Sequence, residues 1–212
     1  MVFASMLILG LTGSIGMGKS TAAGMLRQLG VPVHDADASV HRLMAKGGAA
    51  VPQIAALFPE AVQDGSVDRG RLGQAVFGDA AALRRLEGVL HPLVRRCSDR
   101  FLRRQARRRQ WLAVLDIPLL YETDAAGRCD AVVVVSAPAW LQRQRVLARP
   151  GMTAERFAAI ATQQVPDREK RRKADYVVET GLSKRNTLCQ LQAVLKDMKD
   201  RQPRAWPPRR PS

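Results

Sequence analysis

The stretch Gly13-Ser-Ile-Gly-Met-Gly-Lys-Ser20 constrains this chain of 212 residues more than any other feature. It fits G-x-x-x-x-G-K-[ST], and it lies between a short apolar run, Met6 to Leu11, and a helical pattern from Gly18 to Leu29. That setting matters, because the motif works as a strand-to-helix turn. Gly13, Gly16 and Gly18 let the backbone aim successive N–H groups at one point, an anion nest at a helix N-terminus. Met17 contributes its backbone N–H. Lys19 brings a point charge for β- and γ-phosphates, Ser20 a hydroxyl for Mg²⁺, and Thr21 a further hydroxyl. The rival reading is a glycine-rich turn that binds nothing. Flanking elements of the right kind favour a bound ATP or GTP.

The rest of the chain alternates between strand-like and helix-like segments, which predicts an α/β fold with a parallel sheet. Val31 to His34 reads as a second strand, and a helix follows Asp37. Trp111–Ile117 and Ala131–Ser136 are continuous apolar runs suited to strands buried on both faces. Helices are expected over 139–148, 153–164, 167–173 and 183–198, with a short strand at Tyr176–Val178. Between about 47 and 110 the spacing predicts helices and no convincing strand. The longest carries Leu90, Leu93, Val94, Cys97 and Phe101 at i, i+3, i+4, i+7 and i+11, with arginines opposite. This segment reads as a helical lobe inserted between two strands. The Pro- and Arg-rich end, 201–212, is expected to be disordered.

Composition excludes several classes. Hydrophobic residues make up 46% and charged residues 25%, as in soluble globular chains, and no apolar run suits a membrane span. The start, MVFASMLILGLTG, has no basic leader and reads as a first strand, not a signal peptide. Three scattered cysteines suit neither a disulfide framework nor a zinc site, so a cytoplasmic location is expected. The net charge of +15 is partly local: eight arginines between Arg95 and Arg109 face one acid, Asp99. Solvated helix faces account for this more simply than a nucleic acid partner, because aromatics are only 5% and no stacking platform accompanies the charge.

Four carboxylates have separate readings. Asp35 and Asp37 follow the second strand at the sheet edge where ligands of open α/β folds sit. Such groups take a proton from an attacking hydroxyl or help position Mg²⁺, while Asp37 equally suits a helix N-cap. Asp116 ends the run WLAVLD and suits Mg²⁺ if that strand neighbours the first, or a turn before Pro118. Glu122 belongs to the same region or to solvent.

Five stretches then resemble one family, the dephospho-CoA kinases. They are GLTGSIGMGKST, DADASVH, DRGRLGQAVFGDAAALRRLEGVLHPLV, VLDIPLLYE and QRQRVLARPGMTAERFAAIATQQVPDREKRRKADYVV, together reaching from about residue 7 to 181. The resemblance implies a P-loop NTPase fold of the nucleoside-kinase-like kind over 6–200. Its parallel sheet is flanked by helices in a core of about 6–46 and 111–200. An acceptor-binding helical lobe occupies about 47–110 and a small lid about 145–173. It further implies ATP as phosphoryl donor with Mg²⁺, and phosphorylation of the ribose 3′-hydroxyl of dephospho-CoA.

By the same resemblance, Asp37 is the general base and Asp35 holds the acceptor or a water. His91 and Pro92 meet the acceptor, though His91 equally suits a plain helix-start residue. Arg145 and Arg149, four apart on one helix face at the start of the lid, offset phosphoryl charge or form a solvated basic face. Lys19 and Arg145 are thus catalytic candidates beside Asp37. Gly13, Gly16, Met17, Gly18, Lys19, Ser20, Thr21 and Arg149 belong to the nucleotide. Asp35, His91, Pro92 and Asp116 belong to the acceptor, and Ser20 and Asp116 to the metal. Gln164 and Arg171 fall at further lid and nucleotide-side positions. Two places depart from the family pattern: Met17 stands where a small polar residue is usual, and Glu179-Thr-Gly181 where asparagine is frequent. A monomer acting on small molecules is expected, with an oligomer as the alternative. The competing readings are another small-molecule kinase on this core and a nucleotide-dependent RNA-binding protein.

Overall fold

The computed structural model describes residues 5–207. Five parallel strands form its main sheet, in the order β2-β5-β1-β6-β7: β1 Leu7–Thr12, β2 Val33–Asp35, β5 Leu112–Asp116, β6 Ala131–Ser136 and β7 Tyr176–Glu179. Every residue of β1, β5 and β6 is buried. That burial explains why these strands read as unbroken apolar runs, without the alternation of a half-wet sheet. Register places Leu9 beside Val114 and Leu11 beside Asp116 on one flank, and Thr12 beside Val134 on the other.

Two faces of this sheet are covered. Leu7, Leu9, Leu11, Val133 and Val135 pack against α1 (Lys19–Gln28) and α9 (Lys184–Met198). The intervening Val132 and Val134 point the other way, onto Leu120, Tyr121 and Cys129. Gly10 lies on that second face, where an added Cβ would stand 2.8 Å from Leu120 and 2.9 Å from the Cys129 Sγ. Three further helices, α6 (Ala139–Leu147), α7 (Ala154–Thr162) and α8 (Asp167–Lys173), connect β6 to β7.

The chain divides into two compact units, one running to His34 and resuming at Arg103, the other Asp35–Leu102. The second unit therefore begins before the expected 47 and ends before the expected 110. Its own core explains the earlier start: Leu43 and Met44 of α2 (Ala36–Met44) join Ile54, Phe58, Leu72, Leu86 and Leu93. Besides α3 (Val51–Leu57) and α4 (Arg69–Val76), this unit contains a small antiparallel hairpin, β3 Val62–Gln63 with β4 Ser66–Val67. A strandless middle is thus corrected. The hairpin turns at Asp64-Gly65, both at positive φ of 48° and 75°, the conformation that an Asp-Gly hairpin turn requires.

Helix α5 runs unbroken for 28 residues, Ala80–Arg107, with Pro92 inside it. His91 is accordingly a mid-helix residue and not a helix-start one. All eight arginines from Arg95 to Arg109 are exposed, in keeping with a solvated basic face. The tail expectation needs revision. Residues 208–212 lie outside the described residues, but Trp206 is buried and the backbone N–H groups of Arg204 and Ala205 donate to Asp130 Oδ1 at 2.5 and 2.9 Å.

Candidate active site

The site grows from the end of β1. Gly16 and Gly18 adopt φ of 79° and 87°, left-handed values that side-chain-bearing residues rarely tolerate. Gly18 is the N-cap of α1, which has no side-chain cap and no acid in its first turn. Its leading N–H groups are therefore available to an anion, and the helix dipole favours one. Tight packing seats the loop. An added Cβ at Gly13 would lie 2.5 Å from Val135, and one at Gly16 would lie 2.6 Å from Val146 of α6.

Met17, the departure from the family pattern, has a structural account. It is buried, its Sδ accepts from the Ala137 N–H at 3.1 Å, and its carbonyl accepts from the Thr180 hydroxyl at 2.7 Å. The larger side chain thus anchors the loop to the end of β6 while its backbone keeps the loop's shape.

Lys19 begins α1 and places its Nζ 2.7 Å from Asp116 Oδ1. Side-chain exposures of 15% and 3% show that this pair is largely withdrawn from water. Asp116 reaches the loop because β5 is the direct neighbour of β1. Just beyond it, the Thr12 hydroxyl donates to the Pro118 carbonyl at 2.9 Å and ties the two strand ends together. Ser20 and Thr21 lie exposed on the first turn of α1. Ser20 and Asp116 offer one hydroxyl and one carboxylate. That set suits a cation which brings water and phosphate oxygens as its other ligands, as Mg²⁺ does.

Arg145 donates from Nη1 to the Thr180 hydroxyl at 3.1 Å and from Nη2 to the Thr180 carbonyl at 2.8 Å. Thr180 also stands where a Cβ on Gly18 would fall, 3.0 Å away, so Arg145 is held one residue from the loop. The expected pairing of Arg145 with Arg149 on one helix face is corrected, because α6 ends at Leu147 and Arg149 lies exposed in the turn beyond it. Arg171 pairs with Glu179 at 2.6 Å and donates to Ser136 at 3.1 Å. Gln164 accepts from the Ile15 N–H at 3.0 Å.

The second unit holds the remaining candidates. Asp35, not Asp37, is the N-cap of α2: its Oδ1 accepts from the Ala38 N–H at 2.9 Å. The helix starts two residues earlier than the sequence suggests, which leaves Asp37 exposed in the first turn with its carboxylate uninvolved in the cap. His91 and Pro92 are both exposed on α5. Sequence reasoning assigns no role to Thr180, Gln142 or Lys170. Thr180 lies in the Glu179–Gly181 stretch noted only as a departure from the family pattern, and Gln142 and Lys170 lie within a family-like stretch without being singled out.

Among the described residues no helix is long and apolar enough to cross a membrane. The family model for dephospho-CoA kinase matches residues 7–184. The chain is 61% identical to the dephospho-CoA kinase of Paramagnetospirillum magneticum, covering 94% of each. It is 56% identical to that of Mesorhizobium japonicum, covering 92% of this chain and 98% of the relative. Among solved structures it resembles the crystal structure of TT1252 from Thermus thermophilus, with a TM-score of 0.80 and 39% identity over 92% of this chain and 98% of the other.

Proposed function

The chain belongs to the dephospho-CoA kinase family, and from that membership we propose that it phosphorylates dephospho-CoA with ATP. The ribose 3′-hydroxyl is the acceptor, and the products are coenzyme A and ADP, in the last step of coenzyme A synthesis. The observation that carries the reading is the uncapped loop-to-α1 junction with Lys19 held at Asp116. It is a charged polyphosphate seat built on the same chain as the family's acceptor motifs.

In the proposed reaction the acceptor's 3′-oxygen forms a bond to the γ-phosphorus as the bond to the β–γ bridging oxygen breaks. Asp37 takes the hydroxyl proton, and ADP leaves with the electron pair. The N–H groups of Gly16, Gly18, Lys19 and Ser20 hold the phosphates in line, the Met17 N–H being used within the loop on the Ser14 carbonyl at 3.1 Å, and Lys19 and Arg145 offset charge on the transferring group. Arg149 belongs to the nucleotide side. Asp35, His91 and Pro92 orient the acceptor. Ser20 and Asp116 would hold Mg²⁺, which when bound supplies charge neutralisation at the β- and γ-oxygens. The segment 145–173 acts as the lid, the acceptor-binding lobe is the unit Asp35–Leu102, and the working form is a cytoplasmic monomer without a nucleic acid partner.

The test is ADP release from ATP and Mg²⁺ with and without dephospho-CoA, with the product analysed for a new 3′-phosphate. Acceptor-dependent turnover yielding coenzyme A is expected. ATP turnover indifferent to dephospho-CoA would overturn the acceptor assignment.

A further inference from the structure

One residue of the phosphate loop has both of its peptide groups engaged by glutamines. The Ile15 N–H donates to Gln164 Oε1 at 3.0 Å, and the Ile15 carbonyl accepts from Gln142 Nε2 at 2.8 Å. Gln142 belongs to α6 and Gln164 to the turn between α7 and α8. The peptide orientation at Ile15 sets that of Gly16 and the N–H groups after it, so this grip governs how the anion nest points.

Gln164 is itself held from outside the loop. The N–H of the next residue, Val165, donates to Glu122 Oε1 at 2.9 Å. The same oxygen lies 2.8 Å from Lys170 Nζ, whose side chain is fully buried, while that of Glu122 is 14% exposed. Removing two charges from water costs about as much as their attraction returns, so such a pair adds little net stability over apolar side chains. What it does supply is position. Glu122 stands on the loop after β5 and Lys170 on α8, and their contact fixes the turn that presents Gln164 to Ile15.

We propose that Glu122 and Lys170 are positioning residues for nucleotide binding, acting through Gln164 on the Ile15 peptide of the phosphate loop. The proposal rests on the kinase reading for its meaning, but it is tested on ADP binding, which needs no acceptor. A wild-type chain that binds ADP yet leaves dephospho-CoA unphosphorylated would sink the activity and leave this proposal to be judged on ADP alone.

The experiment compares ADP affinity by calorimetry in the full chain, Gln164→Met, the paired variant Glu122→Leu with Lys170→Met, and the three substitutions together. Losing the net worth of one hydrogen bond corresponds to about three- to tenfold in Kd. Gln164→Met is expected to weaken ADP by that factor, with the KM for dephospho-CoA and the melting temperature almost unchanged. The paired variant should show a similar loss, and the triple variant no more than the pair, because all three act through one contact. Unchanged ADP affinity in Gln164→Met would overturn the proposal, and so would losses that multiply in the triple variant. Should the paired variant not fold, Glu122→Gln takes its place in the same cycle, since it removes the charge facing Lys170 and keeps an acceptor for Val165.

Discussion

Lys19 and Asp37 occupy opposite situations, and the difference predicts opposite kinetic signatures. Lys19 is paired with Asp116 and mostly buried. Asp37 is exposed, and the helix cap that would have occupied it is made by Asp35 instead. We expect Asp37→Asn to lower kcat by about 10²- to 10⁴-fold, the usual worth of a general base, while ADP affinity stays within about twofold. Lys19→Ala should weaken ADP as well as turnover. It should also lower the melting temperature, because it breaks a largely buried ion pair. Steady-state kinetics beside ADP calorimetry check both. At this scale the phosphate loop with Lys19 was legible from spacing, whereas the choice of Asp37 as base came from the family resemblance. Which of two neighbouring aspartates caps α2 was not, since that depends on where the chain leaves β2 and not on residue type.

Helix α5 shows the same division at the scale of an element. Its apolar stripe announces a helix, and Leu86 and Leu93 do enter the core of the second unit. Pro92 argues for a break, yet the helix continues through it for all 28 residues. A proline inside a helix lacks the N–H that would bond four residues back and costs about 3 kcal/mol; packing on both sides of the position offsets that cost. Pro92→Ala is therefore expected to stabilise the chain by on the order of 1–3 kcal/mol, read as a rise in the denaturant midpoint. The early end of α6 is the converse case. Arg145 and Arg149 share a face only on an ideal helix, and Pro150-Gly151 stops this one at Leu147.

Across the whole molecule, the C-terminal segment is the clearest surprise. Composition marks 201–212 as a solvated tail, but Asp130 accepts from Ile8 through Oδ2 at 2.7 Å and from Arg204 and Ala205 through Oδ1. One carboxylate thereby joins the start of β1 to the last described turn. Arg201 adds a bond to Asp175 at 2.9 Å and lies over the Tyr176 ring. Trp206→Ala should lower stability by on the order of 2 kcal/mol; a core tryptophan is worth about 3–5, but a terminal segment that can peel away limits the loss. Thermal melts of this variant and of a chain ending at Asp200 check it: both should melt lower than the intact chain, by similar amounts. The sequence by itself determined the parallel sheet, the phosphate loop and the helical middle segment, because each rests on local spacing: continuous apolar runs, glycines at fixed offsets, a 3.6-residue stripe. Tertiary structure alone decided that β5 lies beside β1 and brings Asp116 to Lys19, that Thr180 backs the loop, that Glu122 and Lys170 pair, and that Trp206 is buried. Those contacts join residues far apart in the chain, and their geometry follows from which elements pack together, which no local pattern encodes.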